Sequence, residues 1–287
     1  MRWTRQTVEV SRRQRWLAAV WMIGLSVCAL TCFAQRAQDS PAKSPDGKSR
    51  PVVHDSMTVT AKLAPEEAEE AKINDAYQSV FTLEQQGDCE AAIRRYESEV
   101  IPLAQRSKLE VPKNKFLFLA NRGIGNCYMA QQHYAEAERK FAQIMEYLPI
   151  WPGTDDSGYP INFTQIATAQ MGQQHWEAAE DSLKKAVSFF DPQIEKALKS
   201  DSEFVRTEHA GNLIGSKARS LAYLSIVYLR EGRTPEALKT AEMAYNAATK
   251  PHVRPSVLSE VVEVGRAIAQ ASGDENAISQ WSLRGLQ

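Results

Sequence analysis

The chain has 287 residues, of which 43% are hydrophobic and 24% are charged, with 34 basic against 35 acidic side chains. This balance excludes the strongly basic surface on which nucleic-acid binding depends. Residues 1–34 hold five Arg and one Glu, so the chain beyond them has 29 basic and 34 acidic side chains and a net charge of −5.

Residues 1–34 have the pattern of a secretory signal peptide. A basic stretch ends at Arg15 and precedes the apolar run Trp16–Ala34, with a small-residue cleavage site after Ala34. An uncleaved membrane anchor is the alternative, because Leu17–Ala34 spans 18 residues and nearly matches a bilayer. Both interpretations predict an exported protein of bacterial type: periplasmic, held in the cell envelope or at the inner membrane, or secreted. The route, general or twin-arginine, stays open.

Residues 35–64 predict a disordered linker. Their composition turns to Pro, Ser, Lys, Asp and Gln with few large apolar side chains. Such a segment cannot bury enough surface to offset the entropy lost on ordering. A helix is predicted to begin at Pro65, where Glu66 and Glu67 place negative charge near its positive end. The folded domain is therefore predicted to cover residues 65–287.

One local pattern recurs along this domain: a glycine or polar residue, a polar pair, Glu-Ala or Ala-Ala, and then an amphipathic helix. The four stretches with this pattern are Gly87–Ala92, His133–Ala137, His175–Ala179 and Gly232–Ala237. A unit that recurs along a chain is typical of an α-solenoid, in which each unit buries its apolar face against its neighbours.

Each unit is predicted to contain two helices. In the clearest unit, one helix covers Phe118–Ala130 and a second begins near Tyr134 and stops at Pro149. Small residues are expected where helices approach closely, with large rings filling the space around them. The positions predicted to define this packing are Ala92, Gly125, Tyr128, Ala137, Phe141, Ala179, Ala186, Tyr228 and Ala237.

These positions resemble the tetratricopeptide repeat (TPR), a 34-residue pair of helices A and B. The matching ranges are 73–105, 118–151, 160–192, 218–251 and roughly 256–287, the last about one residue short in its turn. The resemblance implies an all-α solenoid of about five helix-turn-helix TPR-like repeats. The spacing is irregular, because the four alanines of the pattern are 45, 42 and 58 residues apart. The surplus is expected in longer helices or in loops at 107–113, 149–160 and 193–216.

Catalytic and metal-binding motifs are missing from the sequence: it has no Gly-rich phosphate loop, no Cys-x-x-Cys and no His-Glu-x-x-His. The sequence therefore predicts a protein that is not an enzyme and that holds no cofactor and no metal. His133 and His175 share one turn position in adjacent repeats, but repeats lie about 20 Å apart, so solvated turn residues are favoured over a shared metal. Pairing of Cys89 with Cys127 is left open.

The resemblance also implies a partner. In TPR proteins the A helices line the concave face, which grips a peptide or a partner helix. The register assigns to this face Tyr77, Phe81, Arg122, Asn126, Met129, Thr164, Thr168, Met171, Arg219, Ile226 and Leu229. Aromatic, methionine and arginine side chains are enriched where interfaces carry energy. We therefore expect a scaffold or adaptor for a protein or peptide, with no nucleic-acid partner, and with membrane contact only if the leader is retained.

Three further interpretations concern the same surfaces. Arg122, Asn126 and Arg219 stand where chaperone-binding TPR proteins hold a peptide's terminal carboxylate, although Tyr223 departs from that pattern. The first rival is a structural envelope protein that self-assembles through its terminal repeats, favoured by Trp281, Leu283 and Leu286. The second rival is an enzyme with catalytic residues scattered over loops 149–160 and 193–216. The sequence leaves the oligomeric state open.

Overall fold

The computed structural model describes residues 64–148 and 158–285. The predicted leader and linker up to residue 63, the loop residues 149–157 and Leu286 lie outside this part of the chain. The chain divides into two compact units, Met1–Lys72 and Ile73–Gln287. Only Ala64–Lys72 of the first unit is described, and the repeats occupy the second.

The described residues form five pairs of helices, which confirms the predicted all-α repeat architecture. The A helices are α1 (Pro65–Gln86), α4 (Glu110–Ala130), α6 (Gly158–Gly172), α8 (Ala210–Arg230) and α10 (Pro255–Ser272). The B helices are α2 (Cys89–Arg95) with α3 (Ile101–Arg106), α5 (Tyr134–Ile144), α7 (Trp176–Leu198), α9 (Thr234–Ala248) and α11 (Glu275–Arg284). A π-helical turn, Tyr96–Val100, joins α2 to α3, and a second, Val205–His209, leads into α8.

The irregular spacing is absorbed mainly by longer helices. Helix α4 begins at Glu110, eight residues before the predicted start, so most of the expected loop 107–113 is helical. Helix α7 runs through Pro192 to Leu198. It continues past the proline because Phe190 and Ala197, on either side of it, are buried in one cluster with residues of α8. The expected loop 193–216 is thereby reduced to a short connection before the second π-helical turn.

The turns between helices A and B share one backbone feature. Each turn holds a residue with positive φ, and these are Gly87, Gln132, Gln174, Gly232 and Gly273. In the first four repeats the next residue donates its N–H to a carbonyl five positions earlier, as His133 does to Tyr128 at 2.9 Å. This pattern closes the C-terminus of each A helix. In the last repeat Asp274 N–H binds Ser272 Oγ instead. Two residues link the helices of the first and last repeats, and three link those of the other repeats.

Small residues face aromatic rings at several of the closest contacts between helices. A Cβ atom added to Gly125 would lie 2.5 Å from a carbon of the Phe141 ring in the same repeat. A Cβ atom added to Gly123 would lie 2.6 Å from the ring of Tyr96, which belongs to the preceding repeat. Of the nine packing positions predicted from sequence, eight are buried, while Tyr128 is half-buried and packs against two clusters of the core.

We expect Gln132→Gly to stabilise the protein by about 0.5–1 kcal/mol, because a side chain at positive φ carries a steric cost that glycine avoids. Gln132 has a φ of 62° and an exposed side chain, so the substitution removes no packing. Urea denaturation measures the change. The control is Gln131→Gly, at a residue with a φ of −87°, which we expect to be destabilising. Equal effects at both positions would contradict this account of the turn.

Candidate protein-binding face

Residues spaced four and three apart on each A helix lie on one side of that helix. These stripes meet neighbouring A helices through side-chain hydrogen bonds, and we call their combined surface the A-helix face. It consists of Phe81 and Glu84 on α1, Arg122, Asn126 and Met129 on α4, Thr164, Gln165, Thr168 and Met171 on α6, Arg219, Ser220, Tyr223, Ile226 and Leu229 on α8, and Glu260 on α10.

A buried carboxylate joins the first repeats of this face. Glu84 is only 9% exposed, and its carboxylate accepts from the Tyr96 hydroxyl at 2.9 Å and from Asn126 Nδ2 at 3.3 Å. Gln165 Nε2 donates in turn to Asn126 Oδ1 at 3.4 Å. Burial and the negative charge of Glu84 raise the pKa of the Tyr96 hydroxyl, which keeps it protonated as a donor. One hydrogen-bonded series thus connects α1, α4 and α6.

A second series connects the later repeats. The hydroxyl oxygens of Thr164 and Ser220 lie 2.8 Å apart, which links α6 to α8. Arg219 Nε donates to Glu260 Oε2 at 2.8 Å, and the Tyr223 hydroxyl donates to Glu260 Oε1 at 3.1 Å, which links α8 to α10. The Arg219 and Glu260 side chains are 25% and 9% exposed. This pair is therefore far better shielded from water than an ordinary surface ion pair.

Arg122 is held by aromatic groups. Its guanidinium lies 5.2 Å from the centre of the Phe118 ring, a cation–π distance. Burial is the main cause that raises the pKa of Tyr77, Glu84 raises it further and Arg122 opposes both. Within residues 64–148 and 158–285, Arg122 makes no ion pair, unlike Arg219.

Two predicted groove residues lie in or against the core. Tyr77 is 7% exposed, with its ring about 6 Å from those of Phe81, Tyr96 and Phe116. This corrects the expectation that Tyr77 is open to a partner, because helix α1 turns its ring toward the B helix of its own repeat. Phe81 stacks on Tyr77 at 5.7 Å and is half-buried.

The other residues predicted to line the concave face are all half-buried. Half-buried residues of the A-helix face are Arg122, Asn126, Met129, Thr164, Thr168, Met171, Arg219, Ile226 and Leu229. Thr168 donates its hydroxyl to the carbonyl of Gln165, within its own helix. Met129, Met171 and Leu229 occupy equivalent positions near the ends of successive A helices. They therefore present large apolar side chains along three consecutive repeats.

Sequence reasoning missed both acidic members of the face, Glu84 and Glu260. Glu84 could have been found, because it occupies the repeat position that Met129, Met171 and Leu229 fill elsewhere, and a lone acid at an apolar position signals a buried bond. Glu260 gave no such signal. It occupies the place of a ligand in the carboxylate-binding interpretation, since Arg219 and Tyr223 both donate to its carboxylate. That interpretation is therefore not supported at Arg219.

The histidines, the cysteines and the other potential metal ligands do not come together in one site within the described residues. His133 and His175 are exposed at turns. Cys89 and Cys127 are thiols rather than a disulfide, and both belong to the first core cluster. Within residues 64–148 and 158–285, no three metal-ligating side chains gather into a site. Among the helices of the same residues, none combines the length and the apolar character needed to cross a bilayer.

No protein-family model and no curated protein sequence matches the chain. Solved structures that resemble it include a Podosopora anserina protein described as a kinesin light chain with nearly identical TPR-like repeats, and a single-substitution variant of that protein. Their TM-scores are 0.52 and 0.53 at 18% and 19% identity, and both matches cover 76% of this chain and 94% of the other. The likeness confirms a TPR-like fold and, at this identity, shows the fold alone.

We expect a double-mutant cycle of Arg219→Gln and Glu260→Gln to give a coupling energy of about 1–2 kcal/mol, because the shielded pair joins two repeats. Denaturant unfolding of the parent, the two single variants and the double variant measures it. Arg94 and Glu90 form the matched control, since they are 71% and 79% exposed on one helix and should couple by about 0.3–0.5 kcal/mol. A coupling energy as small as that of the control would show that the Arg219–Glu260 pair does not help to fix α8 on α10.

Proposed function

We propose that this protein is an exported, non-catalytic scaffold or adaptor that binds a protein or peptide partner on the A-helix face. The fold supports the coarser part of the proposal, because TPR-like solenoids commonly mediate protein–protein interaction through their extended concave surfaces. The observation that carries the finer part is the series of half-buried Met129, Met171 and Leu229 on three successive A helices. Methionine side chains adapt to varied partner shapes.

The hydrogen bonds across the face support binding by a preformed surface. Asn126 and Gln165 fix α4 against α6, while Glu260 fixes α8 against α10. A surface already ordered in the free protein loses less entropy when a partner docks. The same bonds favour a scaffold over an enzyme, because the carboxylates of Glu84 and Glu260 accept hydrogen bonds that hold helices together.

Self-assembly is the second candidate. Leu283 on the last helix is 62% exposed, and Met243 on the preceding B helix is 47% exposed, so an apolar contact between copies has a starting point. Trp281 was expected to contribute to this contact, but it is buried: it is 3% exposed and packs over Gly265 inside its own repeat.

We expect a photo-crosslinking amino acid at Met171 to capture a partner in native cells, while the same amino acid at Met243 does not. Met171 lies on the A-helix face and Met243 is an exposed methionine outside it. Mass spectrometry of the adducts from the full chain is the measurement, and thermal melting of each variant checks folding. Adducts from Met243 alone would contradict the proposed face. An adduct from Leu283 with the mass of two chains would favour self-assembly.

The export part of the proposal rests on the basic stretch before Trp16 and the apolar run that follows it. Expressed with its own N-terminus in a Gram-negative host, the protein should be recovered from the periplasm with Gln35 as its first residue. N-terminal sequencing of that fraction is the measurement. An intact leader in carbonate-washed membranes would establish the anchor instead, and an intact leader in the cytosol would refute export. Replacing Leu25 with Arg, which interrupts the apolar run, is the matched control.

A further inference from the structure

The charged groups of the A-helix face are already engaged with groups of the protein itself. Arg219 is bound by Glu260, and Glu84 is bound by Tyr96 and Asn126. Arg122 lies over the Phe118 ring. These four ionisable side chains, two arginines and two glutamates, sum to no net charge. An acidic or basic partner would have to break an internal bond before it could form a new one.

The apolar groups of the face are separated from its two arginines along the helices. Met129 lies seven residues beyond Arg122 on α4, and Ile226 lies seven residues beyond Arg219 on α8, which is about 10 Å along a helix. Met129, Met171, Ile226 and Leu229 therefore form one band at the C-terminal ends of α4, α6 and α8, and we call it the apolar band.

We propose that the apolar band selects an uncharged peptide segment of the partner, one that presents two or three large aliphatic or aromatic side chains toward it. The proposal rests on the proposed function and specifies its partner. The neighbouring charges support it, because Arg219 and Glu260 neutralise one another and the Glu84 carboxylate accepts two hydrogen bonds from the protein itself. A charge on the segment would lose water at the band, and the arginine of the face without an ion pair, Arg122, lies about 10 Å from Met129 along α4.

The test uses the full chain and three synthetic peptides of equal length with blocked ends. Their sequences alternate leucine with glutamine, glutamate or lysine, so they differ only in charge. Fluorescence anisotropy gives each Kd, and methyl NMR of labelled methionine locates the contact. The glutamine peptide should bind at least about ten-fold more tightly than either charged peptide. Its Kd should change less than about two-fold between roughly 0.05 and 0.5 M salt, since it makes no ion pair.

Variants assign the contact to the band. Met129→Gln and Met171→Gln should each weaken binding of the glutamine peptide about ten-fold, while Met243→Gln, an exposed methionine outside the A-helix face, should leave its Kd unchanged. The methyl signals of Met129 and Met171 should move on titration and that of Met243 should not. Circular dichroism melts establish that all three variants are folded.

Three outcomes would overturn the inference, and they separate it from the proposed function. Tighter, salt-sensitive binding of the glutamate peptide, lost in Arg122→Gln, would show that the face selects acidic partners; the face would still be the binding site. Binding that moves only the Met243 methyl signal would contradict both the proposed binding face and the selection of an uncharged segment. If none of the peptides binds, the selection of an uncharged segment is wrong, and the crosslinks from Met171 decide the proposed function on their own.

Discussion

The architecture depends on close contact between a small residue of one helix and an aromatic ring of another. Gly125 lies under Phe141 within a repeat, and Gly123 lies under Tyr96 of the repeat before it. Any side chain at these glycines would overlap the ring, and a dense interior has no room for the ring to move aside. The same kind of contact fixes helix B on helix A and one repeat on the next. In this second repeat, one packing rule is therefore applied twice.

That close stacking makes the polar bonds of the A-helix face possible. Side chains as short as Thr164 and Ser220 can bridge two repeats only when the backbones that carry them are near one another. The buried Glu84 is tolerated for the same reason, since donors from two other helices reach its carboxylate and offset its lost hydration. A looser solenoid would leave that carboxylate unsatisfied, so the polar series also penalises altered repeat spacing.

The sequence predicted the fold well because the packing rule is local. Ala137 and Phe141 are four residues apart on helix B, and Gly125 lies on helix A of the same repeat. A single repeat therefore displays the pattern. The bonds of the face were beyond such reasoning. They join Glu84 to Asn126 and Arg219 to Glu260, pairs 42 and 41 residues apart, and the irregular repeats do not place them at matching positions.

The predicted helix lengths were wrong for a different reason. A proline usually ends a helix, because it lacks an N–H and its ring meets the preceding turn. In α7 the residues around Pro192 are held by burial on one side, with Phe190 and Ala197 inside a cluster and Asp191 exposed. The lost hydrogen bond costs less than the apolar surface that would be exposed if the helix stopped. Tertiary packing decided the outcome, and no local signal could report it.

The A-helix face combines hydrogen-bonded polar groups with half-buried apolar groups, and the two kinds of group have different roles. Bonds such as that of Glu260 to Arg219 hold the repeats in register and leave little for a partner to break or form there. For a partner that docks on this face as proposed, binding energy would come from apolar contact at Met129, Met171 and Leu229, where affinity depends on shape and buried area. Selection by shape tolerates wide variation in a partner's sequence, provided that its contact side stays uncharged. A rigid face with an adaptable apolar band suits an adaptor that meets several partners better than one that reads a single charged motif.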